Sequence, residues 1–290
     1  MPKILTPEQA RQYVAEGAAH PIRVLSAAQA RAYLAALEAG ERAHGDKLRK
    51  TLRTKAHLAL QWVDEIVHDA AILDAVEDVI GPDIRLYNLS FWIKNAHDSA
   101  YVGWHQDSTY FPLDPAVQVT AWVALTDSVA QNGNVKYVPG SHRLGQLRHG
   151  NEIDKGSLLS KGQHVVEPFD SSVVKSISLE PGEMSLHHTR LVHYSEPNNS
   201  ARRRIGLGIS YIPASVRCTG SIRHTAMLVR GVDRYDHFDD EPRVQLDYDP
   251  AVEPFRQDAI ARYGQARDEQ VALKERLFAG ELPRPRRSLR

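Results

Sequence analysis

The sequence has little of what would place it in an oxidising compartment or a lipid bilayer. One cysteine, Cys218, occurs in 290 residues. That excludes an internal disulfide and a thiolate zinc cluster, and it points to a reducing, cytoplasmic setting. No apolar run approaches the roughly 18 residues of a membrane-spanning helix, and no charged-then-apolar leader is visible, so neither a span nor a signal peptide is expected. Neither sign of charge is in excess, with 36 Lys plus Arg against 36 Asp plus Glu. A nucleic-acid or anionic-membrane surface therefore has no basic footprint and is not expected as the main partner. At this length one domain spanning 1–290 suffices.

What is present is histidine, 14 in all, set in a chain whose texture changes once. Residues 1–80 read as helical. Thr6-Pro7-Glu8-Gln9 is a cap with proline at the first helical position, and Ser26-Ala-Ala-Gln29 repeats the capping-box pattern. Ala59 to Ile80 carries Leu60, Val63, Ile66, Val67, Ile72, Leu73, Val76 and Val79 at helical spacing and stops at Gly81-Pro82. From 81 to 213 short β-like runs alternate with turn residues. In Arg85 to Lys94, Asn88, Ser90, Trp92 and Lys94 share one face, while Tyr87, Leu89, Phe91 and Ile93 share the other. Further runs are Val117 to Leu125, Val135 to Val138, Val173 to Leu179 and Glu183 to His188. Together they predict a mainly β chain with flanking helices, its strands forming a double-sheet jelly roll. The interval 143–172 lacks periodicity and reads as a long insertion near the mouth of the site. Residues 214–290 form a C-terminal extension that is partly helical.

His105 and Asp107 sit two residues apart in a segment of strand composition, so both point to one face. An imidazole and a carboxylate converging in this way make two-thirds of a 2-His-1-carboxylate facial triad, the Fe(II) site that leaves coordination positions open. His237 and Asp239 repeat the spacing, but no histidine follows them to complete a set. Six candidates follow Asp107: His142, His149, His164, His187, His188 and His193. If Asn198-Asn199 is the tip of a hairpin, His193 lies opposite Arg204, with Cβ atoms roughly 5 Å apart. Arginine cannot ligate, yet its planar fork suits bidentate capture of a carboxylate. A metal ligand beside such an anchor fits a dicarboxylate that chelates iron at one end. His187 and His188 compete with His193 for the third position but lack a partner arginine in register.

These motifs resemble the phytanoyl-CoA dioxygenase-like branch of the Fe(II)/2-oxoglutarate oxygenases, most specifically in Trp104-His-Gln-Asp107, Asn132-Gly133 with Val138-Pro-Gly-Ser-His142, and His193-Tyr-Ser195 followed by Arg204. The resemblance implies a double-stranded β-helix of cupin-like type, with His105, Asp107 and His193 holding iron. It implies Arg204 and Ser195 on the distal carboxylate of 2-oxoglutarate. Trp122, in the run Thr120-Ala-Trp122, matches a tryptophan lining that pocket, and Thr120 is grouped with it as cofactor-binding. Lys94 matches a lysine that contacts 2-oxoglutarate in related hydroxylases, and Asn88 shares its face. Trp92, Tyr110 and Phe111 are candidates for facing the substrate. The implied reaction uses Fe(II), 2-oxoglutarate and O2, releases succinate and CO2, and hydroxylates a small organic molecule. The carboxylate at 107 favours oxygenation over halogenation, because halogenating relatives carry alanine or glycine there. Two rivals stand beside this reading: a cupin-like metal enzyme that does not use 2-oxoglutarate, and a non-catalytic small-molecule-binding barrel.

Overall fold

In the computed structural model, which describes residues 2–150, 156–159 and 164–281, Thr6 and Ser26 open the first two helices as capping boxes. Each hydroxyl accepts from the N–H of the glutamine three residues on, and that glutamine's side chain accepts from the cap's own N–H. The helices are α1 (Pro7–Glu16), α2 (Ala27–His44), α3 (Asp46–Thr51), α4 (Gln61–Val67), α5 (Ala70–Ile80) and, near the end of the chain, α6 (Glu253–Phe278). The stripe from Ala59 to Ile80, expected as one helix, is therefore two. Asp69 divides it: its carboxylate accepts from the N–H groups of Ala71 and Ile72, so a new helix starts where the ladder would have continued. The stripe survives the break because Val63, Ile66, Ile72 and Val76 pack into the same core.

The strands are β1 (Ala18–Arg23), β2 (Ile84–Lys94), β3 (Val102–His105), β4 (Leu113–Asp114), β5 (Val119–Ala124), β6 (Val135–Tyr137), β7 (Lys175–Ile177), β8 (Glu183–His188), β9 (His193–Ser195), β10 (Arg204–Pro213), β11 (Arg217–Cys218), β12 (Thr225–Arg230) and β13 (Asp239–Asp240). They form a seven-stranded sheet in the order β1-β8-β5-β10-β2-β12-β13, a four-stranded sheet β3-β9-β6-β7, and a β11-β4 ribbon. The two larger sheets are the layers of a double-stranded β-helix. β1 lies within the stretch expected to be helical. Ala18-Ala-His-Pro-Ile-Arg23 has little strand character of its own and becomes a strand by pairing with β8, a case of tertiary context overriding propensity. Likewise the sheet continues past Pro213, because β12 pairs with β2.

The large sheet is buried on both faces. Val119, Ala121 and Val123 of β5, with Leu207 and Ile209 of β10, meet the helices; the alternate residues Thr120 and Trp122 point into the barrel. β2 keeps the expected alternation from Leu89 onward but not before it. A bulge opposite Ser210 and Tyr211 leaves Tyr87 unpaired, and its ring joins Phe238 and Tyr263 rather than the Leu89 face. No helix among the described residues is long and apolar enough to cross a membrane.

A buried ionic cluster ties the N-terminal helices to the far edge of this sheet. The ammonium of Lys55 donates to the carbonyls of Tyr87 and Thr225 and to the Glu241 carboxylate, whose other oxygen meets His57 Nε2 at 2.7 Å. Burial holds His57 below the usual histidine value and His224 down at about 4. Burial alone would raise Glu241, but the Lys55 charge and the His57 hydrogen bond bring it to about 2. All three folded values are lowered, so their stabilisation is full above the unfolded values and lost as pH falls. His57 and His224 act first, below the ordinary 6.5; Glu241 follows below 4.5. One such group costs up to roughly 1.4 kcal/mol per pH unit within its window. Urea unfolding should show His224 alone removing about 2 kcal/mol between about pH 6.5 and 5, and a flat pH profile there would refute this account.

Candidate metal centre

β3 ends at His105, and Gln106 remains extended at φ −120° and ψ 131° before a single 3-10 turn begins at Asp107. The two-residue alternation therefore carries one position past the strand, and His105 and Asp107 reach the same side. Gln106 points the other way and is fully buried. Its amide donates to the carbonyls of Gly145 and Arg190 and accepts from Leu147 N–H and Gln146, so the turn that aims both neighbours is locked from behind. The third group comes from β9, where His193 lies directly opposite His105.

The ligand atoms of His105, Asp107 and His193 lie within 4.8 Å of one another, and no other such cluster of histidine, cysteine and carboxylate occurs among the described residues. His105 Nδ1 donates to the Gly103 carbonyl and His193 Nδ1 to the Leu191 carbonyl, each at 2.9 Å. A carbonyl only accepts, so each Nδ1 carries the proton and each Nε2 presents its lone pair inward. Those Nε2 atoms lie 3.5 and 3.9 Å from Asp107 Oδ1. Oδ2 is engaged by the Thr120 hydroxyl at 2.8 Å, which in turn accepts from Gln118. Burial raises Asp107, yet the neighbouring imidazoles outweigh it and hold the carboxyl well below the usual range; His193 is held neutral by burial and by His105. Two imidazoles with Nε2 turned inward and one ionised carboxylate, with one oxygen left facing them, are the donor set a divalent iron requires on one face.

The competing histidines separate here. His187 sits beside the cluster, with Nε2 4.0 Å from Asp107 Oδ2 and its ring 4.9 Å from that of His193, and its Nδ1 is buried without a partner. Burial pushes it down to about 4. His188 faces outward against His142, with ring centroids 5.4 Å apart. The decoy pair is elsewhere: His237 bonds the Val216 carbonyl, and Asp239 is held by Arg223 and Arg262.

Arg204 reaches this site by a different route from the expected hairpin. β9 pairs with β3 and β6, not with β10; Arg204 stands opposite Lys94 of β2, and the chain crosses from one sheet to the other between Ser195 and Arg204. A two-residue tip at Asn198-Asn199 is ruled out because Asn198 folds its amide back onto the carbonyls of Asn95 and Arg202. Arg204 is 1% exposed and Lys94 is fully buried. Lys94 donates to the Ser195 hydroxyl at 2.8 Å and to the carbonyls of Ser195 and Glu196, and Arg204 to the Gly133 carbonyl. Neither pairs with a carboxylate among the described residues, and Arg204 Nε is buried with no partner. Burial brings Arg204 down to about 10; burial and the Arg204 charge bring Lys94 to about 7. Gly133, at φ +72°, is required because a Cβ would strike the Glu196 carbonyl and sit 3.0 Å from the Lys94 ammonium.

Trp122 bridges the cations and the triad. Its ring lies 5.4 Å from the Arg204 guanidinium, and it is two residues along β5 from Thr120. Gly206 lets that ring lie flat on β10, since any Cβ there would overlap the indole, and Gly208 does the same for Trp92, whose Nε1 would be 2.8 Å away. Asn88 is level with Thr120, both opposite Ser210, so it lies at the triad end of β2, roughly 20 Å from Lys94. There it donates to the Tyr263 hydroxyl of α6 at 3.1 Å. His105, Asp107, Thr120 and Asn88 open into one cavity of about 660 Å³, which Trp92, Tyr110, Phe111, Leu158 and Leu159 also line. The last two bring the 143–172 insertion to its wall; residues 151–155 and 160–163 lie outside the described set. Gln106, Gly206 and Tyr263 were not singled out from sequence. Only the Gly206-Leu-Gly208 spacing, two glycines on one strand face, offered a signal.

The phytanoyl-CoA dioxygenase (PhyH) family model matches residues 3–206, most of the chain. The chain belongs to the phytanoyl-CoA dioxygenase family. A solved non-heme monooxygenase, ThoJ in its apo form, is 31% identical and superposes with a TM-score of 0.81 over 91% of this chain and 99% of that one. Among curated proteins, the probable alpha-ketoglutarate-dependent hypophosphite dioxygenase of Stutzerimonas stutzeri is 28% identical over 180 residues, 60% of this chain and 61% of that protein. The L-proline trans-4-hydroxylase of Streptomyces griseoviridis is 25% identical over 163 residues, 50% of this chain and 61% of that one. The chain thus spans about three fifths of the length of these two relatives. The phytanoyl-CoA dioxygenase match ends inside β10, so α6 lies wholly beyond it.

Two glycine substitutions test the packing described above. Gly206→Ala should lower stability by about 1–3 kcal/mol, because the indole of Trp122 must leave its place, and should alter the near-ultraviolet circular dichroism of the tryptophans. Gly264→Ala on α6, where a Cβ meets nothing within 4 Å, should instead stabilise by up to about 1 kcal/mol. Equal effects in the two variants would contradict the assignment.

Proposed function

We propose that the protein is an Fe(II)/2-oxoglutarate-dependent hydroxylase of a small organic molecule, with His105, Asp107 and His193 as the iron ligands. The observation that carries this is a pair of buried cations without a carboxylate among the described residues, Arg204 and Lys94, joined to the three-ligand site by β9, which carries His193 and Ser195, and by β5, which carries Thr120 and Trp122. A buried guanidinium without a counter-ion costs several kcal/mol, and the distal carboxylate of 2-oxoglutarate supplies one. The cupin-like and binding-only alternatives leave that charge without a role. The names of two relatives support the reading, one as an alpha-ketoglutarate-dependent dioxygenase and one as a hydroxylase.

Bound iron and 2-oxoglutarate supply the oxidising chemistry, consuming O2, releasing succinate and CO2, and placing one oxygen atom on a substrate carbon. The protein's part is position and charge. His105 and His193 present Nε2, and Asp107 presents Oδ1 while Thr120 retains Oδ2. Arg204 takes the distal carboxylate, with Ser195 beside it. Lys94 orients the Ser195 hydroxyl and adds positive charge, and Trp122 forms the wall between the two ends. Trp92, Tyr110 and Phe111 exclude water from the substrate half. Asp107 fills the position that a halide would need, so oxygenation is the expected outcome.

Replacing His193 by alanine should abolish iron-dependent succinate release and lower iron stoichiometry while the circular dichroism spectrum persists; undiminished stoichiometry would transfer the ligand role to His187. Arg204→Ala should weaken 2-oxoglutarate binding by about tenfold or more, the value of a charged hydrogen bond of roughly 1.5–3 kcal/mol, with iron binding little changed. Anaerobic titration of the Fe(II) protein reads this directly, and an unaltered affinity would remove Arg204 from the anchor.

A further inference from the structure

Ser210 of β10 points into the cavity beside the metal cluster. It is level with Asn88 of β2 on one side and Thr120 of β5 on the other, and the Thr120 hydroxyl holds Asp107 Oδ2. Opposed Cβ atoms stand roughly 5 Å apart, so Ser210 is one strand away from the side chain that grips the carboxylate. It is 6% exposed and lines the cavity, and its Oγ has no hydrogen-bond partner among the described residues. Two residues back on that strand face, Gly208 leaves room for the Trp92 indole, whose Nε1 also has no acceptor among the described residues. Asn88 gives Nδ2 to the Tyr263 hydroxyl and keeps Oδ1 buried without a partner. A nearly buried hydroxyl left unpaired in a cavity is a group for a ligand to meet. That ligand is not 2-oxoglutarate. Arg204 and Ser210 are six residues apart on one face of β10, roughly 20 Å, which a five-carbon dicarboxylate anchored at Arg204 does not span.

Charge around the cavity favours neither sign of ligand. Arg203 and Glu41 form a forked pair at 2.9 and 2.6 Å, Arg49 pairs with Asp46 at 3.2 Å, and Asp268 holds Arg267 through two of its nitrogens. Arg53 and Asp98 add one charge of each sign to the lining, and Asp107 belongs to the metal cluster. Between these charges and the metal the wall is apolar or neutral, with Trp92, Tyr110, Phe111, Leu158 and Leu159. Flat rings in the wall suit a ring-bearing skeleton, since aromatic groups pack best on one another. The cavity of about 660 Å³ has room for a drug-sized molecule, and neither Arg204 nor Lys94 lines it, so this room is additional to the co-substrate end.

We propose that the substrate is an uncharged, ring-bearing molecule with a hydroxyl or carbonyl oxygen, and that this oxygen accepts from Ser210, with the Trp92 N–H next along the same face, so that a neighbouring carbon is presented to the metal. The proposal deepens the hydroxylase reading and rests on it for what the cavity receives, but its test does not. 2-Indanol, indane, indane-2-carboxylate and 2-aminoindane share one ring skeleton and differ at one position. Each is titrated calorimetrically into the anaerobic Fe(II) protein holding saturating 2-oxoglutarate. 2-Indanol should bind about two- to tenfold more tightly than indane, the range of a neutral hydrogen bond, and more tightly than either charged analogue. Ser210→Ala should remove the preference over indane while indane and 2-oxoglutarate bind as before. The proposal is overturned by an alcohol that binds no better than indane, by a charged analogue that binds as tightly as the alcohol, or by a preference that survives Ser210→Ala. Weakened 2-oxoglutarate binding in Ser210→Ala, or no binding by any of the four probes, overturns it as well. If 2-oxoglutarate fails to bind the unmodified protein, the hydroxylase reading falls separately, and the same titrations on the Fe(II) protein alone then judge Ser210 by the same probe outcomes.

Discussion

Arg204 is a guanidinium taken out of water without a carboxylate among the described residues to receive it, and much of the molecule is arranged around that cost. Its neighbours offset only part of it. The Gly133 carbonyl accepts from one nitrogen and the Trp122 ring centroid lies 5.4 Å from the guanidinium carbon, yet Nε has no partner among the described residues. Lys94, pressed into the same corner, is met by one hydroxyl and two carbonyls. Two adjacent buried cations repel each other as well as losing hydration, so a chain that keeps both holds a site complementary to an anion before any ligand arrives. The backbone must cooperate. Gly133 has to be a glycine, and the crossing between β9 and β10 has to deliver Ser195 to one side of Lys94 and Arg204 to the other.

The metal cluster depends on that arrangement through two strands. β9 carries His193 toward the triad and Ser195 toward the cations, and β5 carries Thr120 toward Asp107 and Trp122 toward Arg204. A two-residue step on a strand is about 6.5–7 Å, so the same pair of rigid backbones sets the ligand end and the charge end at a spacing that side-chain motion cannot alter much. Part of the cavity wall is not built on this rigid frame: Leu158 and Leu159 come from the 143–172 insertion and Tyr263 and Arg267 from α6, and α6 lies beyond the region that the phytanoyl-CoA dioxygenase match covers. Variation there leaves the chemistry in place while changing what is admitted.

Features that depend on near neighbours could be read from the residues alone. The caps at Thr6 and Ser26 are three-residue affairs, and the His105-x-Asp107 geometry follows from the pleat of one strand. The mixture of β runs and flanking helices was visible for the same reason. One of the readings that failed turned on a local competition, and the others needed a partner distant in sequence. Asp69 turned an unbroken apolar stripe into two helices because a local cap competes with the helical ladder. β1 is a strand only because β8 is there to pair with it, and Tyr87 changed faces because of a bulge set by β10.

The sequence by itself determined the ligand types, the alternation that brings His105 and Asp107 to one side, and the presence of an arginine eleven residues after His193. Only the tertiary structure decided that His193 faces His105 rather than Arg204, that Arg204 meets Lys94 across a different sheet, and that a helix beginning at Glu253, far beyond Arg204 in sequence, lines the cavity with Tyr263 and Arg267. The physical reason is that side-chain direction along a strand is fixed by local stereochemistry, whereas the choice of neighbouring strand depends on which hydrogen-bonding edges and apolar faces remain to be covered once the whole chain has folded.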